Sequence, residues 1–216
     1  MILNGLDDKT TLNPYNPTAI QLHLVTGRKQ IFYQEEAALV ASICADIDGQ
    51  HIFTRHSLII EGAEDVLAFP GNALIGITVM TDFLPAAFLE RELMLKTVVT
   101  QISTEAYHAH RQQEVHKTEG IRSLVYCELE FVTGERLFLE FNEIAQGGKG
   151  ERNVLQHLFA RPSLFCRTQE GGFSAWNTAH IVSWSHYPKL EAPLSAWSAE
   201  SVPKQMEGQL VEAKLL

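Results

Sequence analysis

Histidines supply the first candidate chemistry: His108, His110 and His116 are the chain's only close cluster of imidazoles. On an extended strand residues 108 and 110 project from one face, as two ligands of a single metal must, and His116 would add a third from the following turn. No cysteine or carboxylate completes that set, so a solvated polar stretch of a hairpin is the competing reading. His51, Arg55 and Ser57 recur in the same spacing as His157, Arg161 and Ser163. Arg55 and Arg161 would anchor an anion, because a guanidinium offers a rigid fork to carboxylate or phosphate. The alternative is that Arg and Ser satisfy backbone groups where a helix gives way to a strand. Gly147-Gly-Lys-Gly150 lacks the glycine spacing and the Ser or Thr after Lys that a phosphate loop needs. No Gly-x-Ser-x-Gly elbow occurs, and the chain's tryptophans, Trp176, Trp184 and Trp197, are as suited to a core as to a ligand surface. Catalysis therefore has no positive support, and no cofactor is implied.

The elements that would position these residues come in two sets. Ile20-Gln-Leu-His-Leu-Val-Thr-Gly27 matches Cys127-Glu-Leu-Glu-Phe-Val-Thr-Gly134, with Val25 displaced to Val132 by 107 positions. His51-Ile-Phe-Thr-Arg-His-Ser-Leu58 matches His157-Leu-Phe-Ala-Arg-Pro-Ser-Leu164 at 106, and Asn72-Ala-Leu-Ile-Gly-Ile-Thr-Val79 matches Asn177-Thr-Ala-His-Ile-Val-Ser-Trp184 at 105. Three blocks in one order indicate a tandem duplication.

Each copy reads as short strands. Ile20, Leu22 and Leu24 alternate with Gln21 and His23, as Leu129 and Phe131 do with Glu128 and Glu130, the period of a sheet buried on one face. Gly27 and Gly134 supply the turn into partner strands at Arg28 to Tyr33 and Arg136 to Phe141. Ala37, Val40, Ala41 and Cys44 have helical spacing, as do Val154, Leu155 and Leu158. Further strands follow at 57–60, 66–69 and 75–79, and at 163–166, 172–176 and 181–184. Five short strands make too small a sheet to cover both of its faces, so each set is expected to curl into a small barrel. The expected fold is mainly β with minor α: two tandem five-stranded barrels joined by a helix-containing linker.

The boundaries are an N-terminal extension (1–17), the first barrel (18–82), the linker (83–124), the second barrel (125–188) and a C-terminal tail (189–216). Within the linker a helix is expected over about 85 to 95. Lys96 to Thr104 fits strand or helix; its β-branched residues favour a strand, paired back on Ile121 to Phe131.

Seventeen Lys and Arg against 26 Asp and Glu leave a net charge of −9, which repels polyphosphates and anionic headgroups. The first barrel balances at −5, the second at −2 and the linker at zero. Cys44, Cys127 and Cys166 are odd in number and far apart, so reduced core thiols in a cytoplasmic protein are expected. The N-terminus is acidic where a signal peptide is basic, and no apolar run reaches the roughly 20 residues that cross a bilayer, so no membrane partner is expected.

A strand ending in Val-Thr-Gly, its partner, a Ser-Leu-Ile-Ile strand and a closing Asn-Ala-Leu-Ile-Gly-Ile-Thr strand resemble the Sm-like small barrel, here present twice. The second copy, with Arg152-Asn-Val-Leu-Gln-His-Leu before its third strand and Asn177 to Val182 at its end, resembles bacterial small-barrel domains. That resemblance implies homo-oligomers through barrel edge strands, and RNA contacts at the turn before the last strand, here Asn72 and, in the second copy, Trp176 and Asn177. Neither turn has the Arg-Gly pair of the RNA-binding pattern, and a helix replaces the loop between the second and third strands. The function that follows is a non-catalytic interaction or scaffold module, with a protein partner or further copies of itself. The alternatives are Sm-like RNA binding and a small-molecule or metal site between the barrels.

Overall fold

The computed structural model describes residues 17–48, 52–62, 65–81, 84, 88–90, 92, 97–112, 122–144 and 160–187. The expectations at His51, His116, the loop 147–150, the helix at 152–158, His157, Trp197 and the tail from 189 lie outside them.

The protein is mainly β. Its first set of elements is β1 (Thr18–Leu24), β2 (Lys29–Gln34), α1 (Ala37–Asp48), β3 (Leu58–Glu61), β4 (Val66–Phe69) and β5 (Leu74–Met80). Residues 88–90 and 92 are helical, then come β6 (Thr97–Ile102) and α2 (Thr104–Gln112). The second set is β7 (Arg122–Phe131), β8 (Arg136–Ile144), β9 (Ser163–Arg167), β10 (Phe173–Asn177) and β11 (Ile181–Tyr187). Val40, Cys44 and Ile47 form the buried stripe of α1 at the expected helical spacing. Ser103 starts α2 by accepting from the Ala106 N–H at 3.1 Å, and Tyr107 seats the helix on Phe138, ring centroids 4.9 Å apart.

Local geometry repeats along the chain. Gly27, at φ 77°, donates to the Leu24 carbonyl at 2.9 Å; Gly134, at φ 78°, donates to Phe131 at 2.8 Å. Val25 donates to Ala73 and Val132 to His180, both at 3.0 Å. Each partner moves by 107 positions, as 24 becomes 131 and 73 becomes 180. The register shift after His23 in the β1·β5 pairing recurs in the β7·β11 pairing, where Phe131 opposite Ile181 answers Leu24 opposite Leu74.

The pairing does not show two closed barrels. Nine strands run in one open mixed sheet, ordered β11-β7-β8-β6-β9-β10-β5-β1-β2, with β3 and β4 as a separate pair. The join is antiparallel β10·β5, with Phe173 opposite Val79, Ser174 opposite Thr78, Ala175 opposite Ile77 and Trp176 opposite Gly76. Strand β6 does not return to 121–131; it pairs with β8 and, through Thr100 and Arg167, runs parallel to β9. Residues 97–102 of the expected linker therefore enter the sheet, because a β-branched strand with two bare neighbours is satisfied best between them.

Two cores flank the join and share strands across it. Ile20, Leu22, Leu74, Ile77 and the α1 stripe pack with Phe165, Phe173 and Ala175 of the second set, closed by Phe88. Leu129, Phe131, Leu139, Leu164, Cys166 and Trp176 pack with Val99 of β6 and Ile75 of β5. Alternation along β9 and β10 thus feeds one core from each face.

Candidate functional site

Two regions combine exposure or buried polarity with a defined backbone: the open strand edges, and the seam where β10 meets β5.

Among the described residues β11 pairs only with β7, and β4 only with β3. An unpaired strand edge presents a row of backbone donors and acceptors ready for another strand. Both edges carry exposed apolar side chains: Val66 is 65% exposed, Val182 64% and Trp184 40%.

The seam is polar at its centre. His23 of β1 is buried, its Nε2 3.1 Å from Thr78 Oγ1 and 3.3 Å from Gln21 Nε2. Thr78 Oγ1 lies 3.0 Å from Ser174 Oγ across the β5·β10 join, so a hydrogen-bonded chain crosses three strands and both sets. On the other side of the ring, Nδ1 lies 3.7 Å from Glu135 Oε1, beyond hydrogen-bond reach, and has no hydrogen-bond partner. Glu135 also meets the Lys29 ammonium at 2.9 Å. The His23 imidazole, with Lys29 behind it, holds the Glu135 carboxyl down at about 2 against the opposing effect of burial. The Trp176 ring packs against His23 at a tilt, centroids 4.7 Å apart, and crowds Gly76, where a Cβ would come within 2.5 Å of it. A cavity of about 230 Å³ opens here, lined among others by Gln21, His23, Thr78, Gln101 and Glu135.

The residues singled out in sequence do not gather into one site. His108 and His110 lie on α2, not on a strand, so they no longer share a face. His110 stacks on Tyr126 at 4.4 Å and His108 borders Phe138 at 6.1 Å. Among the described residues no group of three His, Cys, Asp or Glu is placed to hold a metal. Arg55 is exposed and bonds Asp46 at 3.0 Å. Arg161 is half-buried, and its carbonyl accepts from the Thr178 hydroxyl. Trp176 is interior, packed on Phe131 at 5.2 Å. Asn177 is buried, donating Nδ2–H to the Leu74 carbonyl and accepting from the Ala179 N–H, both at 3.1 Å; it caps the 3-10 turn Thr178–His180. Asn72 is exposed in the middle of the turn Gly71–Ala73, whose cap is Pro70. By turn geometry Asn177 corresponds to Pro70, and the identity-based match of Asn72 with Asn177 is two positions out. The two turns touch, His180 Nε2 meeting the Asn72 carbonyl at 2.8 Å.

Sequence reading missed His23, Glu135 and Ser174. His23 sits at an alternating position that predicts solvent, and the cover over it comes from a strand some 150 positions away in the chain, since Trp176 stacks on it.

No protein-family model, curated protein or solved structure matches the chain.

Proposed function

We propose that the chain is a non-catalytic, self-associating scaffold of the cytoplasm: two Sm-like small-barrel units, derived by tandem duplication, that add further copies of the chain through their open strand edges. One observation carries this reading. The fourth strand of the second unit, β10, already pairs with the fifth strand of the first, β5. Their counterparts, β4 and β11, each pair on one side only among the described residues, as β2 and β3 also do. The pairing that joins the units within a chain is therefore available, unused, for joining one chain to the next.

The 107-position correspondence turns this into a register. Phe173 opposite Val79 becomes Val66 opposite His186; the next pairs are Leu67 with Ser185, Ala68 with Trp184 and Phe69 with Ser183. Side-chain volume supports it: where Trp176 needs the bare Gly76, the smaller Phe69 would face Ser183. Such a contact is heterologous, so it closes into a ring or runs on as a filament according to the rotation per chain.

Disulfide trapping tests the register. At the parent pair Ser174 stands directly opposite Thr78 with their Oγ atoms 3.0 Å apart, so side chains at that register position reach one another across the join. Leu67→Cys combined with Ser185→Cys should give intermolecular disulfides on a non-reducing gel, while Leu67→Cys with Trp184→Cys, one residue out of register, should not. The native thiols will not interfere, because Cys44, Cys127 and Cys166 are all buried. A monomer by light scattering, with no trapped species from either pair, overturns the proposal.

A further inference from the structure

We propose that the seam cavity is a binding site for a small zwitterion with the size and charge pattern of a free α-amino acid. This goes beyond self-association and does not depend on it, since the cavity lies within one chain.

Size comes first. About 230 Å³ is room for roughly eight waters at about 30 Å³ each and falls below the usual ~300–1,000 Å³ of drug-sized sites. A metabolite of modest size fits and a nucleotide does not.

Polarity is built into the walls. His23 is 5% exposed, yet its Nδ1 has no hydrogen-bond partner. It faces the Glu135 carboxylate at 3.7 Å, so the imidazole and that carboxylate together form a polar wall of the cavity. Gln21, Thr78 and Gln101 add neutral amide and hydroxyl groups.

Charge then selects the class. Glu135 is held ionised, with its carboxyl at about 2, and the Lys29 ammonium stands 2.9 Å from it. Arg136, whose guanidinium bonds Glu128 at 2.9 Å, and Glu170 line the same cavity. A ligand with net negative charge would face Glu135 and Glu170; one with net positive charge would face Lys29 and Arg136. A zwitterion satisfies both signs, its ammonium on the Glu135 carboxylate and its carboxylate on the Lys29 ammonium, extending the existing ion pair into an alternating set.

The experiment is calorimetric titration of the full chain with the twenty common amino acids. Each binder is compared with its amide, which is a cation, and its N-acetyl form, which is an anion. At least one amino acid should bind, and removing either charge should weaken it about tenfold or more, the scale of one charge-assisted hydrogen bond. Glu135→Gln and Lys29→Gln should each weaken the same ligand comparably, with folding checked by circular dichroism. If either variant fails to fold, the amide and N-acetyl comparison on the unaltered chain still decides. No binding by any amino acid up to about 10 mM, or equal binding of the amide or N-acetyl form, overturns the proposal. Titrating a variant that no longer self-associates separates this inference from the scaffold reading, because the site should bind unchanged in a lone chain.

Discussion

Gly172→Ala is the sharpest probe of the join between the two strand sets. Gly172 enters β10 at φ 85°, and a β-carbon built there would lie 2.0 Å from the Val79 carbonyl oxygen and 2.9 Å from the Thr81 amide nitrogen, both backbone atoms of the facing chain. Alanine thus meets two penalties. The left-handed backbone costs about 1–2 kcal/mol for any residue with a β-carbon. The contact cannot be relieved by a rotamer, so β10 must move off β5, and overpacking of this kind typically costs a further ~1–3 kcal/mol. Gly134 separates the two, because it has φ 78° and nothing within 4 Å of its β-carbon position. Gly134→Ala should therefore lose only the backbone part, about 1–2 kcal/mol, whereas Gly172→Ala should lose about 2–5 kcal/mol. At about 2–4 °C per kcal/mol for a chain of this size, thermal unfolding followed by circular dichroism should show Gly134→Ala a few degrees below the parent and Gly172→Ala about 5–15 °C below it. Equal shifts would mean that β10 does not lie against β5 in this register, and the scaffold reading would lose its template.

Asn177→Ala should cost about 1–3 kcal/mol, since it leaves the buried Leu74 carbonyl without its donor and uncaps a turn, while Asn72→Ala should be nearly neutral; urea unfolding of the pair checks this. The depressed Glu135 carboxyl, at about 2, contributes stability that is full above the ordinary carboxylate range and is lost as pH falls toward 2. Chemical unfolding between pH 6 and pH 2.5 should accordingly show a smaller acid loss in Glu135→Gln than in the parent, and identical pH profiles would remove Glu135 from the seam.

Local structure was legible because it is written in short-range patterns. Alternation at Ile20, Leu22 and Leu24 marks β1, Gly27 and Gly134 mark the hairpins, and Val40 and Cys44 mark the buried stripe of α1. Sheet order was not, because strand partners are chosen by long-range fit. Nothing in the period of Phe173–Asn177 says that it will lie on Leu74–Met80, nor does the β-branched run of β6 say which of two hairpin strands it will join. The same blindness hid the seam site: His23 reads as the polar face of an amphipathic strand until Trp176 covers it. Identity misled at the turns, where matching Asn72 to Asn177 ignores that one caps a 3-10 turn and the other sits inside one.

The shared cores bear on how such a chain can associate at all. A unit ending at residue 82 would leave Leu22, Leu74 and Ile77 without Phe165, Phe173 and Ala175, and its β5 edge bare. The second unit alone would lose Ile75 from beneath Trp176. Each strand set is completed by pairing with the other, so the join contributes to the core on both sides of it. By the same geometry β4 and β11 are strands that have no second neighbour among the described residues. Adding that neighbour covers Val66 on one side and Val182 and Trp184 on the other, burying exposed apolar surface while it satisfies backbone groups. Association at these edges would therefore stabilise the fold as well as enlarge the assembly, and the unfolding temperature should rise with protein concentration.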